Sequence, residues 1–431
     1  MRFLRANNYF WLKVNFRHVP FIDETIPVAD YNKIGNDLTD DQLWGKIEED
    51  LQFAIDNLPE TNTDGAVGRP TKYAAKAYMA KVLLFAAYEQ DEKNQVININ
   101  MDKLNNVVTL CDDVLQHSGK SMFTDFGDNF RCETQNGTES LWAIQFSHND
   151  GTPKGRLNGT NEVCYPMVAE YGCCGYHSPS QNLVNAFRTV NGLPDFDHYN
   201  SINIGGAASV KANTIDPRLL HTVAMDGLPY KYKPDFIFNG TTWPRQPESY
   251  GSFLSMKETV IYDCPCYQPV NPWKSDSKNR DVIRVDDVIL WKAEALIQLG
   301  RQNEALPLIN EIRNRAAQST ARLVDVNGQP TGDFDIKPYV DGVNCTWTKD
   351  FAFKALQWER RLEMACEGFR AYDLMRWGIM AETMNDYFDV ERTRRAHLAN
   401  AHFTKGRDEY LPIPKGQIDL SQNLYKQNYG Y

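Results

Sequence analysis

Residues Trp358 to Gly378 constrain the fold more than any other stretch of this 431-residue chain. Read as a helix, they place Glu359, Glu363 and Glu367 four residues apart on one face, with Arg360, Arg361 and Arg370 within reach. Such a face is either a site or a strut. Di-metal carboxylate centres take a Glu-x-x-His pair from each of two helices, and this segment has no His. The residues therefore read as a strut: a partly buried ion network fixes how the helix docks, Gly368 lets the chain turn, and Trp377 packs behind it.

Helical signals dominate both ends of the chain. Thr39-Asp40-Asp41-Gln42 offers a capping box, and Leu43, Ile47, Leu51, Ala54, Ile55 and Leu58 come next at helical spacing up to Pro59. Pro70 and Thr71 begin the next helix, whose Ala74, Ala75, Ala77 and Ala80 let a neighbour approach closely. A further helix over 102–116 is expected to bury Leu104, Val107, Val108, Cys111 and Leu115. From Asp281, one helix runs to a stop at Gly300 and a second runs through Ala305, Leu308, Ile309, Ile312 and Ala316, the helix-turn-helix of a tetratricopeptide unit. The expected class is mostly α. Residues 1–120 and 281–431 form a tetratricopeptide-like scaffold, and residues 121–280 a large irregular, loop-rich insertion.

That insertion is rich in Gly, Pro, Asn, Ser and aromatic residues. From Pro229 to Trp273 it carries ten rings in 45 residues, against a chain average of 12%. Sugar rings present apolar C–H faces and polar rims, so a carbohydrate site needs flat aromatic platforms edged by Asn, Asp, Arg or Gln. Phe236, Phe238, Phe253 and Tyr262 read as core. Trp243 and Tyr250, beside Gly, Pro, Thr and Ser, read as exposed loop rings, and Trp273 as another. Tyr232, Asn239 and Arg245 complete the candidate ligand-binding set, with Lys231 and Gln246 as further rim groups.

A formal charge of -10 and the lack of a long Lys/Arg run argue against nucleic acid. No run of eighteen apolar residues exists to span a membrane as a helix. The phosphate loop, the GxSxG elbow and the HExxH zinc helix are missing from the sequence, so no catalytic residue, cofactor or metal is assigned. A glycosidase needs only two carboxylates facing a cleft, which 56 acidic residues leave open as an alternative. A helical module that binds peptides in its grooves is another. The nine cysteines show no zinc spacing. Cys173-Cys174 and Cys264-Pro265-Cys266 read as pairs able to bridge in an oxidising compartment.

The segment from Trp358 resembles the Glu-Arg-Arg-Leu-Glu signature of the SusD/RagB family of outer-membrane nutrient-binding lipoproteins. Leu411-Pro412-Ile413-Pro414 through Tyr431 resembles that family's C-terminus. Gly68 to Phe85, Ser178 to Phe187, Asp216-Pro217-Arg218 and the Ala293 to Ala305 turn resemble further family elements. Arg2 to Pro20 resembles an internal family segment, except that Arg17-His18 stands where a Gly and a small or acidic residue are usual. The resemblance implies a SusD-like fold and a non-catalytic role. The expected role is binding of oligosaccharides at the outer membrane, facing outward, with delivery to a SusC-like TonB-dependent transporter. It also implies a lipid anchor upstream of this segment, so the chain is expected to be an N-terminally shortened form.

Overall fold

The computed structural model describes residues 1–153, 155–269 and 274–431. They divide into two units. Unit 1 comprises Met1–Ser118, Ala371–Phe388 and His402–Tyr431, and unit 2 comprises Gly119–Arg370 and Asp389–Ala401. The C-terminal helical block is thus shared: residues 281–370 fold with the loop-rich stretch, and most of residues 371–431 fold with the first helices.

Unit 1 is built on α1 (Arg2–Phe16), α2 (Asp40–Asn57), α3 (Lys72–Ala87) and α4 (Met101–His117). The capping box forms as the sequence indicates: Gln42 N–H donates to Thr39 Oγ1 at 3.2 Å, and Thr39 N–H donates to Gln42 Oε1 at 2.9 Å. Leu43, Ile47, Leu51, Ala54 and Ile55 are buried, and Leu58 has moved out of the helix to its C-cap. The alanines of α3 are fully buried, and α3 packs against both α2 and α4. In α4 the buried stripe ends on Val114 rather than Leu115. Arg17 ends α1 at a φ of 57°. That conformation costs a side-chain-bearing residue about 1 kcal/mol. The Arg17 guanidinium offsets it by donating to Asp40 at 2.9 Å and to the Asp91 carbonyl at 2.8 Å.

In unit 2, helices Val285–Gln298 and Gln302–Gln318 pair antiparallel across Gly300, and helix Lys349–Glu363 packs on both. Strand Arg280–Arg284 pairs antiparallel with Ser140–Ile144. The rest of the loop-rich stretch is short two-stranded pieces and one-turn helices, including Gln181–Ala186, capped by Ser180. Two apolar clusters hold it together. One, around Phe187, Leu219 and Phe253, also takes Leu362 from the 349–363 helix. The other is aromatic, around Tyr165, Tyr171, Tyr230 and Phe238.

The helix expected from Trp358 to Gly378 is interrupted. It ends at Glu363, Cys366 and Gly368 take φ values of 63° and 86°, and a separate helix runs over Arg370–Arg376. Gly368 accommodates the turn, as anticipated, and Glu367 lies beyond the helix that carries Glu359 and Glu363.

Candidate functional site

Glu359 and Glu363 of the 349–363 helix are fully buried, and they pair with arginines distant in sequence. Glu359 meets Arg218 at 2.6 Å and Arg313 at 3.2 Å. Glu363 meets Arg218 at 2.7 Å and also Arg315, which continues to Glu139 at 3.1 Å. Glu367 accepts from Lys257 at 2.7 Å and Arg284 at 2.9 Å. Arg218 closes the set on Asp216 at 2.6 Å. Arg361 instead donates to Asn182 and lies over Tyr199 and Trp358. The correction has a geometric cause: neighbours in sequence on a helix point to different faces.

Burial pulls the Glu363 carboxyl upward, but the Arg315 and Arg218 charges override it and hold the group well below the carboxylate range. Asp286 is different: burial pushes its carboxyl well above the usual value, and Arg284 only partly opposes that. Asp286 lies 3.0 Å from Arg284 and 3.7 Å from Arg315. Glu139, Asp216, Asp286, Glu359, Glu363 and Glu367 thus face Arg218, Arg284, Arg313, Arg315 and Lys257. Buried and paired in this way, the network is a strut rather than a ligand surface.

The predicted site residues separate. Trp243, expected on an exposed loop, is only 8% exposed. Its ring lies 4.8 Å from Phe236, 5.3 Å from Phe238 and 5.9 Å from Tyr230, and its carbonyl accepts from Met167 N–H. Ring neighbours from the 229–238 hairpin leave no face for a sugar. Phe238 and Phe253 are core, as expected, and Phe236 and Tyr262 pack half-buried on the aromatic cluster. Asn239 is exposed, but its carboxamide oxygen accepts from Thr241 and Thr242 and so shapes the turn. Trp273 lies outside the described residues.

Tyr232 points inward. Its hydroxyl donates to His221 Nδ1 at 2.8 Å, and His221 Nε2–H donates to the Ser319 carbonyl at 2.7 Å. Burial pushes the His221 imidazole down to about 4, which matches a neutral ring in that arrangement. Lys231 and Tyr232 form the two-residue turn between strands Pro229–Tyr230 and Lys233–Ile237, at φ values of 50° and 64°. Such turns favour Asn-Gly. Here side-chain anchors replace backbone ease: the Lys231 ammonium donates to the Met256 carbonyl at 2.6 Å and the Phe130 carbonyl at 3.3 Å. Burial lowers that ammonium to about 7. The turn forms one wall of a cleft of about 410 Å³ that also takes in Arg131, Cys132, Cys264 and Arg322.

Tyr250 and Arg245 remain at the surface. Tyr250 is 48% exposed and ends the one-turn helix Pro247–Tyr250, with His397 at 5.6 Å from its ring. Arg245 lies 4.9 Å over the ring of Tyr176, itself 47% exposed, a residue that sequence reasoning passed over. The segments carrying these tyrosines run side by side. A Cβ on Gly175 would sit 2.6 Å from the Arg245 nitrogen, and one on Gly251 would sit 2.9 Å from the Arg395 guanidinium and 3.9 Å from the Pro179 carbonyl. Both glycines have positive φ, so this close approach depends on them. The signal in the sequence was Gly175 and Pro179 around Tyr176, the kind of flank that also marked Tyr250. Two exposed rings on adjoining segments, one of them under a guanidinium, offer what stacking on a sugar face and bonding to its hydroxyls require.

Comparison with known proteins assigns the chain a lineage. Residues 138–431 match the model of the SusD family, and residues 2–84 match one described as starch-binding, associating with outer membrane. The chain is 23% identical over 441 residues to SusD-like protein P25 of Formosa agariphila, the whole chain aligning with 72% of that protein. It is 35% identical over 268 residues to SusD-like protein P38 of the same organism, covering 62% of this chain and 44% of that one. Among solved structures, a laminarin-binding SusD-like protein superimposes with a TM-score of 0.65 at 22% identity, covering 100% of this chain and 77% of the other. A structure with xylogluco-oligosaccharide gives 0.64 at 19% identity, covering 98% and 79%.

Proposed function

The chain belongs to the SusD family, and from that premise we propose that it captures an oligosaccharide without catalysis, on the surface formed by Tyr176, Arg245 and Tyr250. The observation that carries this reading is the pair of half-exposed tyrosines on adjoining segments, with the Arg245 guanidinium stacked on one of them. Each ring offers a sugar about 1 kcal/mol of stacking. Arg245 and the neighbouring exposed Gln246 and Asn239 supply donors for hydroxyl groups. Relatives whose structures are described as binding laminarin or holding a xylogluco-oligosaccharide support a glycan as the ligand class.

The family's association with the outer membrane supports the remaining steps of the proposal. The protein faces outward from that membrane, held by a lipid anchor upstream of this segment, and passes its ligand to a SusC-like TonB-dependent transporter. Among the described residues no helix is long and apolar enough to cross a membrane. Native electrophoresis through gels containing plant, microbial and host polysaccharides tests the binding step. Retardation in one gel, relieved by Tyr250→Ala, is the expected result; retardation that ignores both Tyr250→Ala and Tyr176→Ala would move the site elsewhere. Co-purification of a TonB-dependent barrel with the tagged protein from its native membrane tests delivery.

A further inference from the structure

Two cysteines in the wall of the 410 Å³ cleft, with a third beside them, form a group that glycan capture does not use. Cys132, Cys264 and Cys266 are each 7% exposed, and their three sulfur atoms lie within 4.8 Å of one another. Cys264-Pro265-Cys266 brings two of them together through a tight turn, in which the Cys266 N–H donates to Cys264 Sγ at 3.4 Å. The third arrives from a short 3-10 turn 132 residues earlier. Cys132 and Cys264 are joined as a disulfide, with Cα atoms 7.4 Å apart. Disulfides span roughly 4.4–6.8 Å between Cα atoms, so the backbone holds these two residues wider than a covalent bridge needs.

A shared metal ion accommodates that spacing. With metal–sulfur bonds of about 2.3 Å, thiolates on one ion sit roughly 3.8–4 Å apart, and the three sulfurs reach this with small side-chain rotations. We propose that Cys132, Cys264 and Cys266, once the disulfide is opened by a thiol or phosphine reductant, bind one thiophilic d10 cation, zinc or copper(I), through three thiolates. The reductant supplies two electrons and two protons to open the bridge, and the cation then displaces three thiol protons.

Two observations favour a soft ion over a hard one. All the ligands are sulfur, which selects against magnesium and calcium. The amide donor on Cys264 Sγ is the kind of hydrogen bond that supports a metal-bound thiolate. Because Cys132 and Cys264 both line the cleft, the ion also has a path of entry, and a coordination position beyond the three sulfurs can face the cleft.

Cadmium serves as the probe, since its thiolate complexes absorb in the ultraviolet in proportion to the number of thiolates bound. The full chain is reduced without oxygen and titrated with Cd(II), then with Zn(II) and Cu(I) in competition. The expected result is one equivalent bound with a three-thiolate band, and none bound after reoxidation. Cys266→Ser should keep its circular dichroism, lose at least tenfold in affinity and shed about a third of the band. Absence of a stoichiometric band in the reduced protein overturns the proposal. So does a band of full size in Cys266→Ser, which would place the metal on other thiols. If Cys266→Ser fails to fold, Cys132→Ser is read by the same band, and a band of full size there overturns the proposal equally.

Discussion

Trp243 and Tyr250 sit seven positions apart in the same aromatic stretch, with similar Gly, Pro, Ser and Thr neighbours, and the structure puts one inside and the other outside. What separates them is the origin of their contacts. Trp243 is met by rings from the 229–238 hairpin and by the backbone of Met167, segments that converge only in the folded unit. Tyr250 rides a one-turn helix whose start, at Gln246, and whose end, at Gly251, both have positive φ. That backbone turns the ring away from the core. An aromatic-rich loop therefore contains two populations, one that builds a platform's foundation and one that forms its surface.

Four experiments test that division. The largest effect belongs to the buried ion network of the same unit. Glu363→Ala leaves Arg218 and Arg315 each short of a carboxylate in a fully buried setting, and it should cost about 3–5 kcal/mol in urea unfolding; a variant as stable as the parent but unable to bind glycan would turn the strut into a site. Trp243→Ala should cost about 3 kcal/mol or more, through the cavity it leaves in the aromatic cluster, and a normal melting curve would return Trp243 to the surface population.

The third experiment uses pH on Tyr232's partner. His221 is a base whose folded value is depressed to about 4. Its contribution is thus complete above the unfolded value near 6.5 and is lost as pH falls toward 4. Stability should decline across that window by up to roughly 3 kcal/mol, and His221→Gln should flatten the decline; an unchanged profile would show that other groups carry it. The smallest effect on stability is the sharpest for function. Tyr250→Ala should shift unfolding by less than about 0.5 kcal/mol yet weaken glycan binding about fivefold, measured by calorimetry on the glycan found by electrophoresis.

The helical framework was legible because its signals are local. Thr39 and Gln42 cap α2 with their own side chains, and the alanines of α3 advertise a close neighbour. The acidic face of the 349–363 helix was equally visible, but its partners were not, since Arg218 lies 145 residues from Glu363 and Arg313 lies 46 residues from Glu359. The same limit governs the aromatic stretch. Propensity and flanking residues cannot tell whether a ring faces solvent when the residues that cover it come from elsewhere. Tyr250 lies at the surface as its flanks suggested, whereas Trp243 was placed on the wrong side of it. The approach of Cys132 to Cys264-Pro265-Cys266 escaped notice for that reason too, because it has no spacing relation to them.

The division of the chain into a unit assembled from both sequence ends and a unit carried between them in sequence has a kinetic meaning. The Phe16 carbonyl accepts from the Asn428 side chain, 412 residues later, and the Asn15 carbonyl accepts from Leu411 N–H. A ribosome that has finished α1 to α4 has therefore made an incomplete unit, which must wait while about 250 residues emerge and fold. Contacts of such long sequence separation form slowly. During that wait the faces that the C-terminal residues will cover stay open to solvent and to other nascent chains. Until its last residues arrive, such a unit stays open to association through those faces.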